Sequence, residues 1–377
     1  MIICQFLEYC SGRRYIPDMN NLFEYLVWRG DISFTQLGPV NADYAVFCSL
    51  SYIPFDGILA DTVKDGYIPL AEAAGRVLKI MEKKDSGRRY HLPEDEQLLR
   101  SIIGTNRFSE LKAGHYVNIF NPEKQEQFSA VTFLLPGGDV VAAFRGTDGS
   151  IIGWKEDFNM GFMDELPSQK EAVGYINSLA QNHQGNIYLC GHSKGGNLAM
   201  YGAAFAQKEL QEKIAAVRSL DGPGFKHRTT ERRGFLRMAD RMESFMPQSS
   251  MVGVLLEHKG ENKVIHSFAK GTKQHDIYTW SIMGGDFTEE KSLSESGIRI
   301  SKAINNWMKD MSDEKRMKLT DGIFEIVVAT KAETLEELFE PKNIFAVRKN
   351  LGKMDDETKE LIAETGRIIR ASLKKKA

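Results

Sequence analysis

The sequence contains few cysteines, almost no excess charge of either sign and no long apolar run, and each shortage excludes a class of protein. Its 377 residues include only four cysteines, without a C-x-x-C pair or a metal-type spacing: Cys4, Cys10, Cys48 and Cys190. This usage is typical of reduced thiols in a cytosol rather than of a disulfide scaffold or a zinc site. We therefore expect a cytoplasmic protein without a bound metal.

The charge balance argues against a polyanionic partner. Lysine and arginine number 49 against 51 aspartates and glutamates, which leaves a formal net charge of -2. Because no global basic field is available, we expect no nucleic acid as a main partner. The basic end of the chain, at residues 374–376, is interpreted as a solvated helix end rather than a membrane-binding patch.

Apolar runs are short throughout the sequence. The opening MIICQFLEYC is interrupted by Glu8 and no positive charge precedes it, which is not typical of a secretory signal peptide. Met251 to Leu256 is among the longest apolar runs, and it is far shorter than a membrane span. The sequence therefore predicts no stable membrane insertion.

The order of the predicted elements indicates an α/β core between two helical regions. Residues 1–111 are predicted to be mainly helical and packed on the core, with an asparagine-capped helix at NNLFEYLVWRG and another starting at Pro93. Residues 112–290 begin with short β-branched segments and a hairpin turn at Pro136 to Asp139, after which helices alternate with buried apolar strands. Residues 291–377 are predicted to form a helical extension. We expect a mostly parallel central sheet with helices on both faces.

The most informative motif is Gly191-His192-Ser193-Lys194-Gly195-Gly196, between the apolar segment NIYLC and a following helix. A G-x-S-x-G motif between a buried strand and a helix is typical of the nucleophile elbow of α/β-hydrolases, where glycines permit a strained turn. Ser193 is therefore predicted to be the nucleophile. The backbone N–H of Lys194 is predicted to stabilise an oxyanion, and its side chain is expected to point to solvent rather than into a pocket for anionic substrates.

A second motif lies in DVVAAFRGTDGSIIGWKEDF, where a strand ends in Phe-Arg-Gly-Thr and Trp154 and Asp157 follow. Together with GHSKGGNLA, it resembles the class 3, fungal-type lipases, in which an Arg-Gly-Ser/Thr oxyanion loop and a Trp-x-x-Asp lid segment precede a G-H-S-x-G-G elbow. With NLFEYLVWRGD and QHDIYTW included, the chain is similar to the bacterial Mbeg-like family of lipase-like proteins. The resemblance implies an α/β-hydrolase fold.

The resemblance also implies roles for residues after the strand. Thr147 would be the second oxyanion residue, and a candidate lid would cover the groove leading to Ser193. The lid residues that the resemblance and the apolar composition indicate are Trp154, Asp157, Phe158 and Met160.

Chain order in the hydrolase class places the acid after the nucleophile and the histidine last. Asp221 ends the next predicted strand, at the functional edge of the sheet, and is the preferred acid, with Asp276 and Glu243 as rivals. Here the sequence departs from class 3 lipases, whose acid comes from a later Asp followed by Val-Pro. The corresponding segment, MPQSSMVG from Met246, contains no carboxylate.

His275 is the preferred histidine because it lies late in the chain, in a polar loop before Trp280, where class 3 lipases place theirs. His266 is the alternative. Together with His258 it flanks a predicted hairpin around Lys259 and Gly260, so both histidines would lie at strand ends.

These residues predict a serine esterase or lipase-like hydrolase that uses a Ser193-His275-Asp221 triad and an acyl-enzyme, with no cofactor. The preference for lipid or other acyl esters as small-molecule substrates comes from the resemblance alone. An acyltransferase or thioesterase would carry the same motifs, whereas a non-catalytic binding protein of this fold would lack a working triad. The sequence leaves the oligomeric state open.

Overall fold

The computed structural model describes residues 20–82, 93–330, 332 and 341–373. The predictions for Cys4, Cys10 and the basic residues 374–376 lie outside the described residues. Within the part of the chain that is described, no helix combines the length and the apolar composition that a membrane crossing requires.

The described α-helices occupy both ends of the chain and the connections between strands. Their bounds are α1 Leu22–Arg29, α2 Asn41–Leu50, α3 Leu70–Glu82, α4 Pro93–Ile103, α5 Asn106–Ser109, α6 Ile151–Asn159, α7 Pro167–Asn182, α8 Lys194–Phe205, α9 His227–Thr230, α10 Arg233–Met238, α11 Glu295–Asp310, α12 Asp313–Val328, α13 Pro341–Lys353 and α14 Asp356–Leu373.

The strands form one large sheet and one small ribbon. Their bounds are β1 Tyr67–Pro69, β2 Lys112–Asn121, β3 Glu126–Leu134, β4 Val140–Phe144, β5 Ile187–His192, β6 Ile214–Leu220, β7 Met242–Pro247, β8 Glu261–Ile265, β9 Ile282–Met283, β10 Asp286–Phe287 and β11 Glu289–Glu290. Among the described residues, the large sheet has the order β1-β2-β3-β4-β5-β6-β7-β8-β11, and β9 pairs with β10.

The sheet is mixed, which corrects the expectation of a mostly parallel one. β1 to β4 pair antiparallel and β11 pairs antiparallel with β8, while β4 to β8 are parallel. Short turns join β2 to β3 and β3 to β4, and such turns reverse the chain direction. The parallel pairs need longer connections, which from β4 to β6 contain α6, α7 and α8.

Helices cover both faces of the sheet, and β4 shows how the two cores divide. Val141 and Ala143 face a core that they share with the N-terminal helices. Val140, Ala142 and Phe144 face a second core with α7 and α8. Because side chains alternate along a strand, a strand buried on both faces has the continuous apolar pattern seen here.

The N-terminal helices begin as the sequence predicts and pack directly on the sheet. The Asn21 side chain caps α1 by accepting hydrogen bonds from the backbone N–H groups of Phe23 and Glu24, at 3.0 and 3.2 Å. The ring of Phe47 in α2 lies 5.0 Å from that of Phe133 in β3, between centroids. One strand, β1, also comes from this mainly helical region, so the division at residue 111 stays a prediction.

The C-terminal helices contact one helix and one loop of the core. Ile151 of α6 forms a small buried cluster with Phe324 and Val327 of α12. At the start of α11, the hydroxyl of Ser294 lies 2.6 Å from that of Ser249, in the loop after β7. The C-terminal helices therefore pack on helix α6 and on the loop after β7.

Candidate active site

The serine elbow has the strained geometry that the motif predicts. Ser193 joins β5 to α8 with φ 56° and ψ -130°, and its N–H donates to the Leu220 carbonyl at 2.9 Å. A Cβ at Gly191 would lie 2.1 Å from the Gly195 carbonyl carbon, and a Cβ at Gly195 would lie 2.0 Å from the Phe144 oxygen. Both positions thus admit only glycine. A non-glycine residue with positive φ typically costs on the order of 1–3 kcal/mol, a cost often found at functional sites.

Asp221 and His275 lie in hydrogen-bond contact. His275 Nδ1 and Asp221 Oδ2 are 2.7 Å apart, although the two residues are separated by more than fifty positions. The Asp221 side chain is fully buried, whereas that of His275 is 31% exposed and therefore accessible from solvent. The arrangement directs the second ring nitrogen of His275 away from the carboxylate. An acid and a histidine are thus paired as the sequence predicts, and their catalytic role remains a proposal.

The loop after β7, which lacks the acid that class 3 lipases have there, binds the carboxylate of Asp221. Asp221 Oδ1 accepts hydrogen bonds from the Ser250 hydroxyl at 2.5 Å and from the Gly253 N–H at 3.0 Å. A Cβ at Gly253 would lie 2.4 Å from the same oxygen. No sequence motif predicted that Ser250 and Gly253 would bind the acid. The available signal was the polar, glycine-containing composition of this loop.

The rival acids have other partners. Asp276 is exposed, and its Oδ1 accepts from the backbone N–H of Tyr278 at 3.0 Å. Glu243 forms an ion pair with Arg218 on the neighbouring strand, at 3.2 Å. Neither carboxylate is hydrogen-bonded to His275, whose Nδ1 is occupied by Asp221.

The alternative histidines also lie elsewhere, and the hairpin predicted between them is wrong. His266 contacts Glu290 at 2.8 Å. His258 is half-buried beside Ser244, and its desolvation lowers its pKa. The segment around Gly260 leads into β8, which pairs parallel with β7, so the two strands are not joined by a tight turn.

A second histidine, His192, connects the serine elbow with the His275 loop. His192 Nε2 lies 2.8 Å from the backbone oxygen of His275, and Nδ1 lies 2.8 Å from the Tyr52 hydroxyl. Since a carbonyl only accepts, Nε2 carries the proton and Tyr52 donates to Nδ1. Burial and the nearby His275 lower the pKa of His192 well below its ordinary value, which keeps its ring neutral. No role was predicted from the sequence for His192 or for Tyr52.

The loop after β4 runs directly beside the serine. A Cβ at Gly146 would lie 3.0 Å from Ser193 Cβ and 2.7 Å from the His192 oxygen. Only glycine therefore fits at this position. The next residue, Thr147, donates its hydroxyl to Asp157 Oδ2 at 2.6 Å. Asp157 is half-buried, with its Oδ1 inaccessible to solvent, and this burial raises its pKa to about 6. The predicted oxyanion loop is thus next to Ser193, with Thr147 bound to Asp157 of α6.

The side chain of Lys194 is buried, which contradicts the expectation that it points to solvent. Lys194 Nζ forms an ion pair with Glu156 Oε2 at 2.9 Å, and both side chains are inaccessible to solvent. It also donates to the backbone oxygen and to Oε1 of Gln127, at 2.8 and 2.9 Å. A lysine can be buried when acceptors compensate for lost water, and these acceptors come from β3 and α6. The side chain therefore does not face a substrate pocket either.

The candidate lid residues differ in their exposure. Trp154 and Phe158 are 36% and 44% exposed, whereas Met160 is 8% exposed and belongs to the interior. The ring of Phe158 packs edge-on against Phe324 of α12, with centroids 5.7 Å apart. Helix α6 thus has one face in the core and another at the surface, and its function as a lid stays a prediction.

In the part of the chain that the structure describes, no group of three or more histidine, cysteine, aspartate or glutamate side chains is placed to hold a metal ion.

No curated protein sequence matches the chain. Among solved structures, the chain is similar to M37 lipase, with 16% identity and a TM-score of 0.34, over 56% of this chain and 68% of that one. It is also similar to Rhizomucor miehei lipase in its propeptide complex, with 12% identity and a TM-score of 0.36, over 59% and 67% of the two chains. The family model described as Mbeg1-like matches residues 102–325, more than half of the chain, which therefore belongs to the Mbeg1-like family.

Proposed function

We propose that the protein is a serine hydrolase of the α/β-hydrolase fold that cleaves carboxylic esters. The observation that carries the proposal is the hydrogen bond between Asp221 and His275. The backbone oxygen of His275 is in turn bound by His192, the residue before Ser193. A buried carboxylate, an accessible imidazole and a serine at a strained strand-to-helix turn are the three parts of a nucleophilic triad. The position of the serine at the end of a parallel strand supports the fold assignment.

The proposed reaction follows from the protonation states that these contacts favour. Asp221 accepts the proton on His275 Nδ1, so Nε2 is the basic nitrogen. As Ser193 Oγ forms a bond to the acyl carbon, its proton passes to Nε2 and the carbonyl becomes an oxyanion. His275 then returns the proton to the leaving alcohol, which leaves an acyl-enzyme. Water, deprotonated by His275, attacks this ester and releases the acid and the free serine.

The oxyanion would be stabilised by backbone N–H groups of Thr147 and Lys194. Gly146 is in close approach to Ser193, and Lys194 is the first residue of α8, where free N–H groups and the helix dipole favour negative charge. Thr147 directs its hydroxyl to Asp157. We therefore assign the backbone of Thr147, rather than its side chain, to the oxyanion.

For the substrate, we propose esters with an apolar acyl group. Trp154 and Phe158 expose apolar surface on α6, which follows the oxyanion loop in the chain. An acyl chain lying on this surface would remove both side chains from water. In this proposal the two exposed residues, and not the interior Met160, are the part of the candidate lid that meets the substrate.

A fluorophosphonate probe with intact-mass readout tests the proposed nucleophile. The protein should gain one phosphonyl adduct on Ser193, and Ser193→Ala should lose both the adduct and ester hydrolysis. Ser178→Ala, which replaces a half-buried serine of α7, is the matched control and should be labelled like the wild type. An unlabelled wild type, or labelling that survives Ser193→Ala, would remove the basis of the proposal.

A further inference from the structure

The buried ion pair between Glu156 and Lys194 satisfies the hydrogen-bonding groups of both side chains. The three protons of the Lys194 ammonium have three acceptors, which are Glu156 Oε2 and the two oxygens of Gln127. Glu156 Oε2 also accepts the Gln127 N–H, and Oε1 accepts the Ser168 N–H, each at 3.0 Å. The pair thus joins β3, α6, the start of α7 and the start of α8.

Stability alone does not account for such a pair. Removing two charges from water costs free energy that their attraction only partly returns, and apolar residues of similar volume often stabilise a core equally well. The contacts instead fix a position, because an ammonium with three fixed acceptors restrains the backbone of its own residue. The residue restrained here is Lys194, directly after Ser193.

The same helix also holds the other proposed oxyanion donor. Glu156 binds Lys194, and the next residue of α6, Asp157, accepts the hydroxyl of Thr147 at 2.6 Å. Two adjacent carboxylates therefore connect α6 to both residues whose N–H groups would face the oxyanion. Oxyanion stabilisation requires donors held within a few tenths of an ångström of the required position.

We propose that Glu156 and the side chain of Lys194 are positioning residues, which fix the spacing between the two oxyanion donors through α6. This role rests on the proposed serine hydrolase function. It also has a consequence for α6 itself, because a rigid outward movement of the helix would separate two buried charges. If α6 acts as a lid over Ser193, only its exposed side chains would then move.

The test is the double variant Glu156→Gln/Lys194→Met, which removes both charges together and nearly conserves volume. We expect kcat for an activated ester to fall by about 10- to 100-fold, with KM changed by less than about twofold. The affinity for a trifluoromethyl ketone, which forms a tetrahedral oxyanion adduct with the serine, should fall by the same factor as kcat/KM. A merely structural role would not produce this parallel loss at unchanged KM.

The matched control is Arg218→Met/Glu243→Gln, which removes a mostly buried ion pair between β6 and β7. It should lower the melting temperature but leave kcat and the ketone affinity unchanged. If the first double variant does not fold, Glu156→Gln alone, with the same shape as glutamate, is measured in the same way. A folded variant with wild-type kcat and ketone affinity, in a protein whose wild type is labelled at Ser193, overturns the positioning role alone. An unlabelled wild type overturns the proposed function as well.

Discussion

Replacing Asp221 with asparagine tests the proposed acid with almost no change of shape. Asp221 Oδ1 accepts from the Gly253 N–H at 3.0 Å and from the Ser250 hydroxyl, while Oδ2 faces His275 Nδ1. The Gly253 N–H can only donate, so it selects the amide oxygen for the Oδ1 position. The NH₂ group of the asparagine must then face His275.

An NH₂ group at this position reverses the tautomer of the imidazole. His275 Nδ1 has to accept, so its proton moves to Nε2, the nitrogen that must take the proton from Ser193. The histidine loop itself should stay in place, because His192 still binds the His275 backbone oxygen. A histidine held in the wrong tautomer lowers kcat by about 10⁴-fold, which corresponds to roughly 5 kcal/mol of transition-state stabilisation.

The assay is kcat/KM for a short p-nitrophenyl ester, with the melting temperature of each variant measured in parallel. Asp276→Asn is the control, since it makes the same chemical change at the residue next to His275, in an exposed carboxylate that contacts Tyr278. It should change kcat/KM by no more than about threefold. A folded Asp221→Asn protein with more than about a tenth of wild-type activity, or a collapse of activity in Asp276→Asn, would refute the assignment.

Two further predictions concern α6. Burial raises the pKa of Asp157 from 3.8 to about 6, so the wild type should lose stability relative to Asp157→Asn as the pH rises from about 4 to 6, by on the order of 2 kcal/mol. Urea unfolding of both proteins at the two ends of this range measures the difference, and a constant difference would contradict the buried carboxylate. Replacing Trp154 and Phe158 together by serine should lower kcat/KM at least tenfold more for long-chain than for acetyl esters, because burying two such side chains contributes roughly 3 to 6 kcal/mol. Equal losses on both esters would show that this surface does not contact the acyl chain.

The local features of the site follow from short stretches of sequence. The elbow depends on glycines that make close backbone contacts beside one serine, with an apolar strand before them and a helix after them. A motif of six residues contains all of this information. The pairing of Asp221 with His275 was also predictable, although they are far apart in the chain. Chain order limited the candidates, and Asp221 ends a strand at the edge of the sheet where such residues meet.

Tertiary structure decided what depends on partners distant in the chain. Lys194 is buried because Gln127 and Glu156 are brought to it by β3 and α6, and no pattern around a lysine indicates that such acceptors will be present. Likewise, Gly253 binds Asp221, and Tyr52 binds His192. Both contacts exist only because two loops that are remote in the chain reach the same edge of the sheet. Sequence patterns report local backbone geometry and the side of an element that is buried, whereas the burial of a charge is decided by the groups that satisfy it.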